Sequence, residues 1–220
     1  MKRIGVVLCG CGHRDGSEVH EATLTLLAID QSGARAVPIS PDGDQRFVRN
    51  HMDGSDMKEK RDIMVESARI SRGNIKSIKD ITADDLDALI IPGGQGAALN
   101  LSSYIEDGVD CKVDADLERL VFEMWKNKKP IGAICIAPVT LAKILSKNKI
   151  FATITIGNDS KVAADLKNLG MKHRECPASD CVVDEEHKIV TTPAYMTAKG
   201  IAELWKGISK LVGEVIRLTK

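Results

Sequence analysis

The sequence predicts an α/β fold, a mostly parallel sheet with helices on both faces, and two observations carry that expectation. Apolar β-branched runs alternate with stretches of helical spacing along the whole chain. The chain closes on a long helix whose apolar residues, Ile201, Leu204, Trp205, Ile208, Leu211, Val212, Val215 and Ile216, fall on one stripe that must pack on something. The 220 residues show no internal repeat, low-complexity run or composition break, and 43% of them are hydrophobic, so one domain over residues 1–220 is expected.

Taken in order, Ile4 to Cys9 is a β-branched run and reads as a first strand. Ser17 to Ser32 follows as a helix, with Ser17 at the N-cap, Glu18 and Glu21 in the first turns and Gly33 beyond its end. Ala36 to Ile39 is a second strand, and Met57 to Gly73 a helix closed by its glycine. Between them, Ser40 to Ser55 is rich in Asp, Gly and Asn and reads as irregular. "LDALIIPGG" is a buried strand running into a glycine turn. Leu117, Leu120, Val121 and Met124 keep helical spacing before Pro130 opens the strand that leads to Cys135. Thr153 to Gly157 and Cys181 to Asp184 read as short strands, and "EEHKIVTT" as the return arm of a hairpin.

Composition excludes several partners. Lys+Arg and Asp+Glu both number 31, so no basic field gathers nucleic acid or anionic lipid, and 3% aromatic residues leave few platforms for stacking bases. The apolar run in "MKRIGVVLCG" is too short to span a bilayer or to form a signal-peptide core, which points to the cytoplasm and to no membrane partner. Six scattered cysteines in a chain of this length read as free thiols of a reducing compartment.

Three strand ends carry chemistry, and a parallel sheet brings them to one edge: "CGCGHRDGSEVHE", "PGGQGAALN" and "AICIAP". In the last, Cys135 has Ala133 two residues before it and Ala137 two residues after it, the small neighbours that a nucleophile on a tight strand-to-helix turn requires. The following helix would aim its free N–H groups at the sulfur and favour thiolate. The glycines of "IIPGGQG" would let backbone N–H groups approach a substrate and bind a developing oxyanion.

"DALIIPGGQGAALNLS" followed by "KPIGAICIAPVTLAKIL" resembles the ThiJ/PfpI branch of the class I glutamine amidotransferase-like superfamily. The opening "IGVVLCGCGHRDGSEVHEA" and the late "HKIVTTPAYM" resemble, more narrowly, its ElbB-like glyoxalases, which are associated with isoprenoid biosynthesis. The resemblance covers essentially the whole chain. It implies a flavodoxin-like three-layer sandwich, a homodimer, and a cysteine elbow with an acid beside it: Cys135, with Glu21 as the partner of sulfur and Glu18 as its substitute. It further implies Gly93 and Gly94 as the oxyanion site; Ile136, directly after the cysteine, is a further candidate for binding substrate, and Cys11, in the loop near the site, would line the pocket or act as a redox partner. Such proteins convert glyoxal or methylglyoxal, small oxoaldehydes, to glycolate or lactate with no metal, glutathione or other cofactor.

Departures from the wider superfamily narrow the reading. Glutamine amidotransferases carry a His and a Glu late in the chain, and "IVTTPAYM" has neither. Many ThiJ/PfpI proteins place a His directly after the cysteine, where Ile136 stands. His20 is the one histidine inside a motif, flanked by Glu18 and Glu21. Cys9 with Cys11 and Cys176 with Cys181 offer zinc ligands at poor spacing, and "GCGHRDG" runs one residue longer than a dinucleotide-binding loop. The rival to the enzyme is a redox sensor or chaperone using the same cysteine.

Overall fold

The structure, a computed structural model, describes residues 1–219. Strand β1 (Arg3–Val7) leads to α1 (Val19–Gln31), β2 (Arg35–Ser40), α2 (Ile63–Ile70) and β3 (Lys76–Ser77). Then come β4 (Ala88–Ile91), α3 (Tyr104–Asp107), α4 (Ala115–Lys126), β5 (Ile131–Ile134) and α5 (Ala137–Lys147). The chain ends with β6 (Thr153–Ile154), α6 (Ser160–Asn168), β7 (Lys172–His173), β8 (Val182–Asp184), β9 (Ile189–Thr192) and α7 (Ile201–Leu218).

The main sheet has the order β3-β2-β1-β4-β5-β9-β8, parallel except for the β8–β9 pair. The chain runs outward from β1 through β2 to β3, then returns to lay β4 on the other side of β1. That reversal opens a crevice at the carboxyl ends of β1 and β4, where open α/β sheets receive ligands. Residues along each strand alternate between two cores. Ile4, Val6, Ala88 and Ile90 join α1 and α7 on one face, while Val7, Leu89, Ile91 and Ile131 join α4 and α5 on the other.

Several elements differ from the sequence reading. Ser17 does not cap α1, because its hydroxyl turns inward to accept from Cys9 N at 2.9 Å; Glu18 caps instead, its carboxylate accepting from Glu21 N at 2.7 Å. Helix α2 begins at Ile63, capped by Asp62, and the Met57–Arg61 stretch ahead of it is exposed and has no apolar face to bury. Thr153–Ile154 pairs with Lys172–His173 in a separate two-stranded sheet, so it extends no edge of the main one. The reading does not include α6, although Val162, Ala163 and Leu166 fall on one buried face behind the Asp159 cap, nor the short elements α3, β3 and β7, which hold too few apolar residues to show a period.

The apolar stripe of α7 is mostly absorbed within the chain. Leu204, Ile208, Leu211, Val212 and Val215 are buried against α1, β5 and β9, while Ile201 at its start is exposed and Trp205 and Ile216 are half-buried. Two glycines of α7 behave oppositely. A Cβ on Gly207 would lie 2.1 Å from Ala178 O and 2.8 Å from Thr192 Oγ1, whereas one on Gly213 would meet nothing. Gly207→Ala should therefore cost about 1–3 kcal/mol through overpacking. Gly213→Ala should gain about 0.5–1 kcal/mol from helix propensity. Urea midpoints of the two variants, shifting in opposite directions, check this.

Candidate active site

Strand β5 ends at Ile134, and Cys135 follows with φ 61°, a left-handed conformation rare for a residue with a side chain. Its N–H is anchored to Thr192 O of β9 at 2.9 Å. Ile136 caps α5, whose first residues are Ala137 and Pro138, so Cys135 sits at the positive end of that helix. Ala133 and Ala137 are fully buried, which leaves no room for larger neighbours at the elbow.

Glu21 reaches this elbow from the first turn of α1 and is fully buried. Its Oε2 accepts from Gly93 N at 2.9 Å, its Oε1 from Tyr195 N at 3.3 Å, and its carboxyl lies beside the Cys135 side chain. Gly93 makes the approach possible. A Cβ there would fall 2.5 Å from Cys135 Cβ and 2.6 Å from Glu21 Oε2, in the space where the two side chains meet. Burial first, and the Glu18 charge second, push the Glu21 carboxyl up to about 8.

The expectation of a free thiolate at Cys135 is corrected. Burial and the adjacent Glu21 raise the thiol well above its ordinary value, and the N–H groups of Gly94 and Ile136 oppose this only in part. A helix end acts on a sulfur only through the dielectric around it. Here desolvation and a neighbouring carboxylate outweigh two N–H groups.

The oxyanion assignment is also corrected. Gly93 N is occupied by Glu21, so Gly93 supplies clearance rather than a donor; Gly94 N and Ile136 N are the pair that face the sulfur. Glu18 is half-buried and acts as the cap and as a charge beside Glu21. Cys11 is drawn into a different neighbourhood, where the charged groups acting on it are Glu66, Arg69, Asp15 and Arg61. Cys9 lies in the core against Ser17 Oγ, while Cys176 and Cys181 lie with Asp180 and Lys210. No group of three or more His, Cys, Asp or Glu among the described residues is arranged to hold a metal.

Sequence reasoning missed Tyr195, whose backbone N–H meets Glu21 and whose hydroxyl lies 2.8 Å from His20 Nδ1. The available signal was "TTPAYM", a proline-led turn directly after the strand that neighbours the elbow strand.

The model of the DJ-1/PfpI family matches residues 11–203. The chain belongs to the DJ-1/PfpI family. As a DJ-1/PfpI protein it is 39% identical to the rat protein named "ES1 protein homolog, mitochondrial", over 99% of this chain and 84% of that one. The human "Glutamine amidotransferase-like class 1 domain-containing protein 3, mitochondrial" is 39% identical over 99% and 83%. Among solved structures, an "isoprenoid biosynthesis protein with amidotransferase-like domain" from Ehrlichia chaffeensis superposes with a TM-score of 0.94 at 34% identity, covering 100% of both chains. Drosophila melanogaster DJ-1beta, at 16% identity, 99% and 95% coverage and a TM-score of 0.58, shares the fold. This DJ-1/PfpI chain thus has the flavodoxin-like three-layer α/β architecture of its family.

The raised Glu21 has a consequence for stability. Between its ordinary value of 4.5 and about 8, the folded chain holds a proton that the unfolded chain has lost, so Glu21 lowers stability progressively as pH rises through that window. Glu21→Gln removes this dependence. Urea unfolding at about pH 5 and about pH 8 should show wild type losing ground to the variant at the higher pH.

Proposed function

We propose that this DJ-1/PfpI chain is a glyoxalase that needs no cofactor, converting glyoxal to glycolate and methylglyoxal to lactate. The observation that carries the reading is the buried Cys135–Glu21 pair, in which the acid holds its proton up to about pH 8. The Cys135 thiol adds across the aldehyde: sulfur bonds to carbon, the thiol proton passes to Glu21, and the Glu21 proton passes to oxygen. In this reading Gly94 N and Ile136 N, which act on the sulfur, would take the developing oxyanion. Glu21, protonated again, then takes the proton from the carbon bonded to sulfur on one oxygen while its other oxygen gives its proton to the neighbouring carbonyl, forming an enediol. The reverse exchange takes the proton of the hydroxyl on the carbon bonded to sulfur and puts a proton on the neighbouring carbon. The product is a hydroxyacyl thioester. Water cleaves it to the hydroxy acid and regenerates the thiol, so no oxidant or reductant is consumed.

The names of the relatives do not specify this reaction. What supports it is the acid beside sulfur together with the resemblance of "CGCGHRDGSEVHE" and "HKIVTTPAYM" to ElbB-like glyoxalases. Glutamine hydrolysis has less support, since "IVTTPAYM" carries neither the His nor the Glu that amidotransferases of this superfamily place late in the chain. A redox sensor would favour an exposed thiolate, whereas Cys135 is 8% exposed and its thiol is held protonated. The six free cysteines favour a reducing compartment, for which the cytoplasm is our reading. A homodimer belongs to the same proposal on the family likeness alone; light scattering should give about twice the 23.9 kDa chain mass.

Metal-free protein incubated with glyoxal should yield glycolate, followed by NMR. Cys135→Ala should abolish the product, and Glu21→Gln should slow it by ~100-fold or more. Turnover unaffected by either change would overturn the mechanism.

A further inference from the structure

The turn after β9 carries strain that nothing in the sheet demands. Ala194 is fully buried and stands at φ 47°, left-handed for a residue with a Cβ. The turn closes on itself through Met196 N to Pro193 O at 3.0 Å and Ala198 N to Ala194 O at 2.8 Å. Neither bond uses the N–H of Tyr195, which is left pointing out of the turn at Glu21 Oε1, 3.3 Å away. That contact is long for an N–H···O bond, so its strength is sensitive to small shifts of the turn.

One residue before Glu21 on α1, His20 places Nδ1 2.8 Å from Tyr195 Oη, with the two rings 5.9 Å apart. The same two elements are therefore joined twice, side chain to side chain at His20 and backbone to side chain at Glu21. His20 is exposed and packs into no core, which leaves the Tyr195 hydroxyl as its evident partner.

We propose that His20 and Tyr195 form a positioning clip, a bridge from α1 to the turn after β9 that holds the Tyr195 N–H against the Glu21 carboxyl. The clip rests on the reading of Cys135 and Glu21 as the reacting pair, yet it can be read without turnover. The groups that bear on Glu21 are Glu18 from its own helix, Cys135 from the elbow, and the N–H groups of Gly93 and Tyr195. Of these donors, Tyr195 is the one that a surface side chain controls. Weakening its N–H bond removes a stabiliser of the carboxylate, so Glu21 retains its proton to higher pH.

The test is the pH profile of Cys135 alkylation by iodoacetamide, with melting temperature measured alongside. Alkylation reads the Cys135 thiolate, which the Glu21 carboxylate opposes, so a Glu21 that keeps its proton to higher pH lets the thiol ionise more readily. Tyr195→Phe and His20→Leu should each move the rise in alkylation downward by ~0.5 pH unit or more, and the double variant by no more than either alone. His20→Asn, which keeps a hydrogen-bonding group near the Nδ1 position, should stay with wild type. Because His20 is exposed, its variants remain informative even if Tyr195→Phe unfolds. An unmoved profile in His20→Leu, or a His20→Asn profile shifted as far as His20→Leu, overturns the clip. Absence of glyoxal turnover in wild type, with the profiles shifting as stated, refutes the glyoxalase reading and leaves the clip standing.

Discussion

Two buried acids, Cys135 and Glu21, lie side by side at the centre of this molecule, and their common burial restrains both from ionising at neutral pH. Desolvation is the largest cause of the rise in both; Glu21 raises Cys135 further, whereas at Glu21 it is the Glu18 charge that adds to burial and the contact with Cys135 works the other way. The contact depends on a missing side chain, since any Cβ at Gly93 would occupy the gap between them. It also depends on the strained backbone of Cys135, without which the sulfur would continue along β5 instead of turning toward α1. The neighbouring elements are arranged so that these two requirements hold together.

The topology supplies that arrangement. Because β1, β4, β5 and β9 are adjacent and parallel, their carboxyl-end loops meet at one edge, and each gives one part. The segment after β1 leads into Glu21, the turn after β4 gives Gly93 and Gly94, the elbow gives Cys135 and Ile136, and the turn after β9 gives Tyr195. Backbone hydrogen bonds stitch the first two of these together, Glu18 N to Gly93 O at 2.9 Å, Gln95 N to His13 O at 2.8 Å and Gly96 N to Gly16 O at 2.9 Å, and Cys135 N to Thr192 O at 2.9 Å ties the elbow to β9. The site is thus held largely by main-chain contacts, which permits its side chains to differ among proteins of the same fold. The 16% identity to DJ-1beta accordingly transfers architecture and no chemistry.

Protonation links the site to function in the proposed mechanism. A thiolate held in advance would be the stronger nucleophile, but it would leave no proton for the aldehyde oxygen. A neutral pair stores both the nucleophile and the proton and releases them together when the carbonyl arrives. The strain at Ala194 and the exposed His20–Tyr195 bridge then appear as parts of the device that sets how firmly Glu21 keeps its proton.

What the sequence by itself determined is what local patterns encode. The apolar run of β1, the stripe of α7, the glycines after β4 and the small residues flanking Cys135 announced a parallel sheet and a cysteine elbow, because each is written within a few turns or one strand of chain. The roles of the individual groups were decided by contacts across the fold. That Ser17 turns inward and cedes the cap to Glu18, that Gly93 N is consumed by Glu21, that Cys11 belongs with Glu66, and that Tyr195 meets Glu21 from 174 residues away all depend on which loops come together. The sign of the shift at Cys135 belongs with them. Dipole and desolvation act on the sulfur in opposite directions, and only the depth of burial and the distance to Glu21, both tertiary quantities, determine which one prevails.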